Sequence, residues 1–295
     1  MTADTSAPRA RQTAASPDAD ADPASAARPI TGIDGSTKII GMLGDPIAQV
    51  RTPQAINPLF QALGANIVCA PFRVARDDLR TVWTGLRAAG NVIGLTLTLP
   101  HKEDAIALCD SLDAEAERVG AVNVVRREAD GSFRGYQFDG RGFVDGLLSQ
   151  HHDPKGRNCL LIGAGGAAKA IAFALLEAGV VTVTICNRTR QKAEALAEHV
   201  NRVLGTERVL AGDPMPCDDD LIVNATSLGM RADDPLPIAV DRINATMLVA
   251  DVIAEPAKTR LLCEAERRGA AIHSGEHMIA NQIHLIARHF VDADR

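Results

Sequence analysis

From Lys38 onward the chain alternates short apolar runs with stretches whose apolar residues recur at helical spacing. Lys38–Leu43 predicts a buried strand. Thr52–Leu63 predicts a helix, with Thr52 as N-cap and Pro53 at the first helical position. A strand at Ile67–Val74, a helix at Asp77–Ala89 and a strand at Val92–Thr98 follow. Residues 101–118 predict one or two helices. Val122–Arg127 and Ser132–Phe138 predict strands flanking the turn Ala129-Asp130-Gly131, and a helix runs from Asp139 to about Gln150. A polar stretch with Pro and Gly, 151–157, marks a boundary in composition. Beyond it the alternation resumes. Strands are expected at Cys159–Ile162, Val181–Cys186, near 208–210, at Leu221–Asn224 and at Met247–Val252. Helices are expected at Ala167–Ala178, Lys192–Leu204, Lys258–Arg268 and 276–291. Such alternation implies an α/β fold with parallel sheets and crossover helices.

Residues 1–36 break this pattern. They are rich in Ala, Pro, Asp, Ser and Thr, and bury too little apolar surface to offset ordering entropy, so a disordered tail is expected. The 295 residues carry a net charge of -6 and only 3% aromatics, which argues against a nucleic-acid partner. Six cysteines, none in a CxxC pair, form neither a disulfide framework nor a zinc ribbon, and fit a cytoplasmic protein. The most apolar stretch, Leu160–Cys186, is broken by Lys169, Glu177 and glycines, so no membrane span is expected, and the N-terminus lacks a positive start followed by an apolar run, so no signal peptide is expected.

The strongest local signal is Gly163-Ala164-Gly165-Gly166-Ala167-Ala168, a GxGxxA loop between a strand and a helix with another strand beyond. Gly163 permits the tight turn, Gly165 lets backbone approach a pyrophosphate, and Ala168 permits close helix–strand packing. A ligand-free turn and a methyl-donor site are the competing readings. The end of the next strand, Asn187-Arg188-Thr189-Arg190-Gln191-Lys192, has no acid to hold a ribose hydroxyl. Arg188 and Lys192 there suit a 2′-phosphate, with Asn187 and Thr189 beside them, which favours NADP over NAD.

Carbonyl reduction also needs a proton carrier. A Tyr-x-x-x-Lys pair is excluded, because Tyr136 is the only tyrosine and position 140 is Gly. His273, His277 and His284 lack an HExxH arrangement, so no metal is expected. Lys102 follows one predicted strand and Asp139 opens a helix after another, the ends at which α/β folds place ligands. If they meet, Asp139 would orient Lys102 for proton transfer. The plain readings are a helix-start lysine and an N-cap aspartate.

At these residues the chain resembles the shikimate dehydrogenase family. The blocks are Gly44-Asp45-Pro46-Ile47, Thr98-Leu99-Pro100-His101-Lys102, Gly120-Ala121-Val122-Asn123, Asp139-Gly140, Gly163–Gly166, Asn187-Arg188-Thr189, Asn224–Gly229, and Gly275 with Met278 and Gln282. The resemblance implies an N-terminal α/β substrate domain, 37–140, completed by the C-terminal helix 276–295. It implies a Rossmann-type doubly wound NADP-binding domain over 141–275, with the cleft between them. It also implies Lys102 and Asp139 as the catalytic pair, and substrate contacts from Thr52, Thr98, Asn123 and Gln282. Gly163, Gly165, Gly166, Ala167, Asn187, Arg188, Thr189, Lys192, Thr226 and Gly275 would hold the cofactor. The implied reaction is NADPH reduction of 3-dehydroshikimate to shikimate, a hydroxylated cyclic carboxylic acid, by a monomer or homodimer. Five positions depart from the family's usual residues: Val50 and Thr52 for Ser, of which only Thr52 can still donate, Thr96 for Asn, Phe138 for Thr and Ala254 for Tyr. They keep open a related ring acid, quinate or an amino-shikimate, and a non-catalytic ligand sensor.

Overall fold

The computed structural model describes Met1, residues 32–216 and residues 221–293; the expected disordered tail lies almost entirely outside these. Order begins earlier than position 37. Asp34 accepts hydrogen bonds from Ser36 and Thr37, and Thr37 reaches the Asn66 side chain, closing a turn before the first strand.

Two six-stranded sheets form the frame of residues 34–295. The first contains β1 (Lys38–Gly44), β2 (Ile67–Arg73), β3 (Val92–Leu97), β4 (Ser111–Leu112), β5 (Val124–Arg127) and β6 (Phe133–Tyr136), in the order β2-β1-β3-β5-β6-β4. It is mixed, and the turn expected at Ala129-Asp130-Gly131 joins its antiparallel hairpin. β2, β1 and β3 run parallel, whereas β3–β5 and β5–β6 are antiparallel. The cause is local: β5 and β6 are joined by a turn at 128–132 with no helix between them, and a tight turn can only reverse the chain. The two-residue β4 and the three-residue β12 below are too short to give a periodic signal.

The second sheet contains β7 (Asn158–Ile162), β8 (Thr182–Cys186), β9 (Val209–Ala211), β10 (Leu221–Asn224), β11 (Leu248–Asp251) and β12 (Ala271–His273). All its pairs are parallel, in the order β12-β11-β10-β7-β8-β9. Strand order reverses between β7 and β10, and such a reversal leaves a crevice beyond the strands' C-terminal ends. This is the doubly wound arrangement expected from the sequence.

Helices are α1 (Thr52–Ala62), α2 (Leu79–Ala88), α3 (Ala114–Val119), α4 (Asp139–Ser149), α5 (Gly166–Glu177), α6 (Arg190–Leu204), α7 (Arg260–Arg267) and α8 (Gly275–Ala293). Several starts differ from expectation; α7, for one, begins at Arg260 rather than Lys258. Arg51, not Thr52, is the N-cap of α1, so Thr52 is its first residue. Residues 76–78 form a 3-10 turn before α2, delaying that helix by two residues. α6 begins at Arg190 rather than Lys192, with Thr189 as its N-cap. Residues 101–118 hold a 3-10 turn at Asp104–Leu108 and the short α3, rather than long helices.

Three glycines make α4 the joint between the sheets. A Cβ on Gly140 would lie 2.4 Å from the Ala170 carbonyl oxygen of α5. One on Gly142 would lie 2.7 Å from Gln282 Cβ, and one on Gly146 3.0 Å from His277 backbone, both in α8. Only bare backbone permits α4 to be this close to both neighbours. Among the described residues no helix is long and apolar enough to cross a membrane.

Candidate active site

The site begins where β3 ends. Thr98 N–H donates to the Leu43 carbonyl, and His101, fully buried, sets Nε2 2.9 Å from the Val74 carbonyl. These bonds fix the 98–101 turn, so Lys102 leaves it in a defined direction. Its own carbonyl accepts from Val122 N–H at 2.8 Å. Asp139 is the first residue of α4 and is 2% exposed. The N-cap is Phe138, and Asp139 makes no capping bond, so the plain N-cap reading fails.

Lys102 and Asp139 meet. Lys102 Nζ donates to Asp139 Oδ2 at 2.6 Å. Asn123 Nδ2 and Gln282 Nε2 donate to Oδ1 at 3.0 and 2.7 Å. A buried carboxylate is costly unless paired and hydrogen-bonded, and here both oxygens are served. Asn123 Oδ1 accepts from Phe138 N–H, and Gln137 Oε1 accepts from Asp139 N–H at 2.8 Å. Three separated segments thus donate to one carboxylate. Gln137 was not singled out from sequence. Its one signal was its place two residues before Asp139.

The nucleotide loop abuts this cluster. A Cβ on Gly166 would lie 3.0 Å from Lys102 Cβ. Gly163 has φ +113°, and its missing Cβ would touch the Ala225 carbonyl oxygen. Nothing lies within 4 Å of the position a Gly165 Cβ would take, and α5 starts with no side-chain cap. Open backbone N–H groups at a helix start suit a pyrophosphate. Past β8, Arg188 and Lys192 are exposed and have no ion pair among the described residues, whereas neighbouring Arg190 binds Glu194 and Asp213. Asn187 donates to the Thr189 carbonyl. The set therefore fits a dinucleotide bearing a 2′-phosphate. Thr226 spends its hydroxyl locally, donating to Asn224 Oδ1 and accepting from Leu228 N–H. Gly275 opens α8 against Val252, with a missing Cβ 2.5 Å from that carbonyl.

Thr52 and Thr98 are half-buried at the ends of α1 and β3. Among the departures, Val50 packs on the cluster formed by α1, β1, β2 and α8. Thr96 is buried and donates to the Met42 sulfur, which takes it into the core. The Phe138 ring stacks on Tyr136 and meets His289 edge-on. Arg51 crosses to Glu255 at 2.5 Å, joining the start of α1 to the segment after β11. No sequence signal connects two exposed residues so far apart in the chain. Among the described residues there is no cluster suited to a metal ion.

Comparison with known proteins adds to this geometry. Residues 42–125 match the shikimate dehydrogenase substrate binding domain, and residues 147–227 match shikimate / quinate 5-dehydrogenase. A shikimate dehydrogenase (NADP(+)) from Rubrobacter xylanophilus is 42% identical over 254 residues, covering 85% of this chain and 89% of that protein. A solved shikimate dehydrogenase in complex with NADP+ superposes with a TM-score of 0.81 at 32% identity, covering 88% of this chain and 92% of the other. The shikimate 5-dehydrogenase of Thermus thermophilus, solved with NADP(H) and shikimate, gives 0.75 at 32% identity, covering 87% and 94%.

Proposed function

The chain belongs to the shikimate dehydrogenase family, and from that premise we propose that it interconverts 3-dehydroshikimate and shikimate with NADP. The observation that carries the reading is the Lys102–Asp139 pair, paired on every side and pressed against the nucleotide loop. NADPH, when bound, supplies a hydride to the ketone carbon. The rest of the chemistry belongs to side chains. The Lys102 ammonium has three N–H donors, of which one binds Asp139. The others remain for the substrate oxygen. As that oxygen gains electron density, Nζ donates a proton to it, and Asp139 holds the nitrogen in line. Asn123 and Gln282 keep the carboxylate from turning. Each of their amides has a second N–H for a ring hydroxyl.

The substrate half is read as 37–140 with 276–295, and the NADP half as 141–275. The shared helix α4 supports a junction close to residue 140. Free thiols at Cys69, Cys109 and Cys263 support a cytoplasmic location. A monomer or homodimer acting on a hydroxylated cyclic acid completes the proposal.

Initial rates of NADP⁺ reduction against shikimate, quinate and amino-shikimate test it. Saturable turnover on shikimate, lost by about 10²–10⁴ in Lys102→Ala with NADPH binding kept, is expected. Turnover on another ring acid alone would refute the substrate. Turnover that survives the loss of Lys102 would refute the mechanism, and silence on all three would leave a ligand sensor.

A further inference from the structure

One buried carboxylate takes no part in the chemistry above. Asp251, at the C-terminal end of β11, is fully buried. It accepts from three donors: Asn224 Nδ2 at 3.1 Å, Thr259 Oγ1 at 2.8 Å and Ile253 N–H at 3.0 Å. Asn224 passes the network on, because its Oδ1 accepts from both the N–H and the hydroxyl of Thr226. One carboxylate therefore fixes two backbone segments, 224–228 and 251–253, at the C-terminal ends of adjacent parallel strands.

Those segments lie where half of a dinucleotide must go. The pyrophosphate loop follows β7, and the residues suited to the 2′-phosphate follow β8 on one side of it. The other half of the ligand must extend across the reversal in strand order, over β10 and β11. There the backbone is closely packed. The absent Cβ atoms of Gly163, Gly229 and Gly275 would meet Ala225, Thr259 and Val252 respectively. No side chain can fill this wall, so its shape is set by the backbone, and the backbone is held by Asp251.

We propose that Asp251, through Asn224 and Thr259, is the positioning residue for the nicotinamide end of the cofactor. It touches neither ring nor substrate. It sets the Val252–Ile253 and Asn224–Thr226 backbone against which the ring is placed. The proposal rests on the NADP reading and is independent of which residue carries the proton.

The test separates the two ends of the ligand. NADPH binding is followed by its own fluorescence, and adenosine 2′,5′-bisphosphate, which lacks the nicotinamide, by calorimetry. Asp251→Asn puts a donor among three donors. It should weaken NADPH by about tenfold or more while leaving the bisphosphate unchanged. In turnover, kcat should fall with KM for the acid held. Thr259→Val should act in the same direction, and Thr259→Ser should restore binding, so the Thr259 pair decides the matter if Asp251→Asn does not fold. Equal weakening of both ligands would mean a merely structural role and overturn the proposal, as would no effect on either. A wild-type chain that binds neither ligand would overturn the cofactor reading and this proposal with it.

Discussion

Buried titratable side chains that pull stability in opposite directions with pH are set close to the site. His273 is buried, with neither ring nitrogen hydrogen-bonded, and burial lowers its pKa to about 3. His289, against Tyr136 and Phe138, is lowered to about 4. Both fold as neutral rings, while the unfolded chain takes protons from about pH 6.5 downward. Their contribution is therefore present above that pH and lost as pH falls toward 4 and 3. Asp251 has the reverse sign: burial raises it from 3.8 to about 6. Its contribution is full below the unfolded value and lost as pH rises through 6. Thermal melts across pH 4–7 should therefore fall steeply on the acid side, and His273→Leu should flatten that limb. An unchanged slope would show that His273 is not what limits acid stability. The Lys102–Asp139 pair was legible through the family resemblance, since strand-end positions alone left a helix-start lysine and an N-cap aspartate open. Its supporting amides were legible only in part. Asn123 and Gln282 were expected against substrate, yet they are seen holding Asp139, because a buried charge draws the nearest donors.

Among elements, α4 has the most consequential composition. An exposed helical glycine changed to alanine gains about 1 kcal/mol from propensity. At Gly146 the sign should reverse. The added methyl would sit 3.0 Å from the His277 backbone, and overpacking of this kind costs about 1–3 kcal/mol. A urea midpoint measured on Gly146→Ala checks this. Gly142→Ala should also lower kcat, because the methyl would press on Gln282, which grips Asp139. A variant that loses stability but not rate would separate packing from catalysis. Most elements were readable because apolar runs such as Leu221–Asn224 are fully buried strands. Cap positions and short pieces were less readable. Arg51 caps α1 by backbone geometry alone and β4 has two residues, whereas the β5–β6 turn was marked by Ala129-Asp130-Gly131.

At the scale of the molecule, the proposed determinants of nucleotide preference are two exposed cations past the end of β8, Arg188 and Lys192. Removing both, as Arg188→Ala with Lys192→Ala, should shift the NADP-to-NAD ratio of kcat/KM by about tenfold to a thousandfold, since a charged hydrogen bond is worth about 1.5–3 kcal/mol. A preserved ratio would place the 2′-phosphate elsewhere. Ion pairs between the first-sheet and second-sheet regions include Arg118–Glu177, Lys169–Glu103 and Arg51–Glu255. None was legible, because pattern along a chain reports burial and not which distant exposed charges will meet. Exposed pairs of this kind contribute little stability, so the union of the two sheets rests on α4, α5 and α8.

Gln282 completes the grip on Asp139, yet it is made long after Lys102, Asn123 and Asp139 in the order of synthesis. Its helix, α8, also packs Ile283, Ile286, Ala287 and Phe290 against β1, β2 and α1, so the first sheet lacks part of its core until α8 is made. Any product of early termination or of proteolysis upstream of position 282 shares that defect. Such fragments lack both a wall of the first core and one of the three donors that hold Asp139.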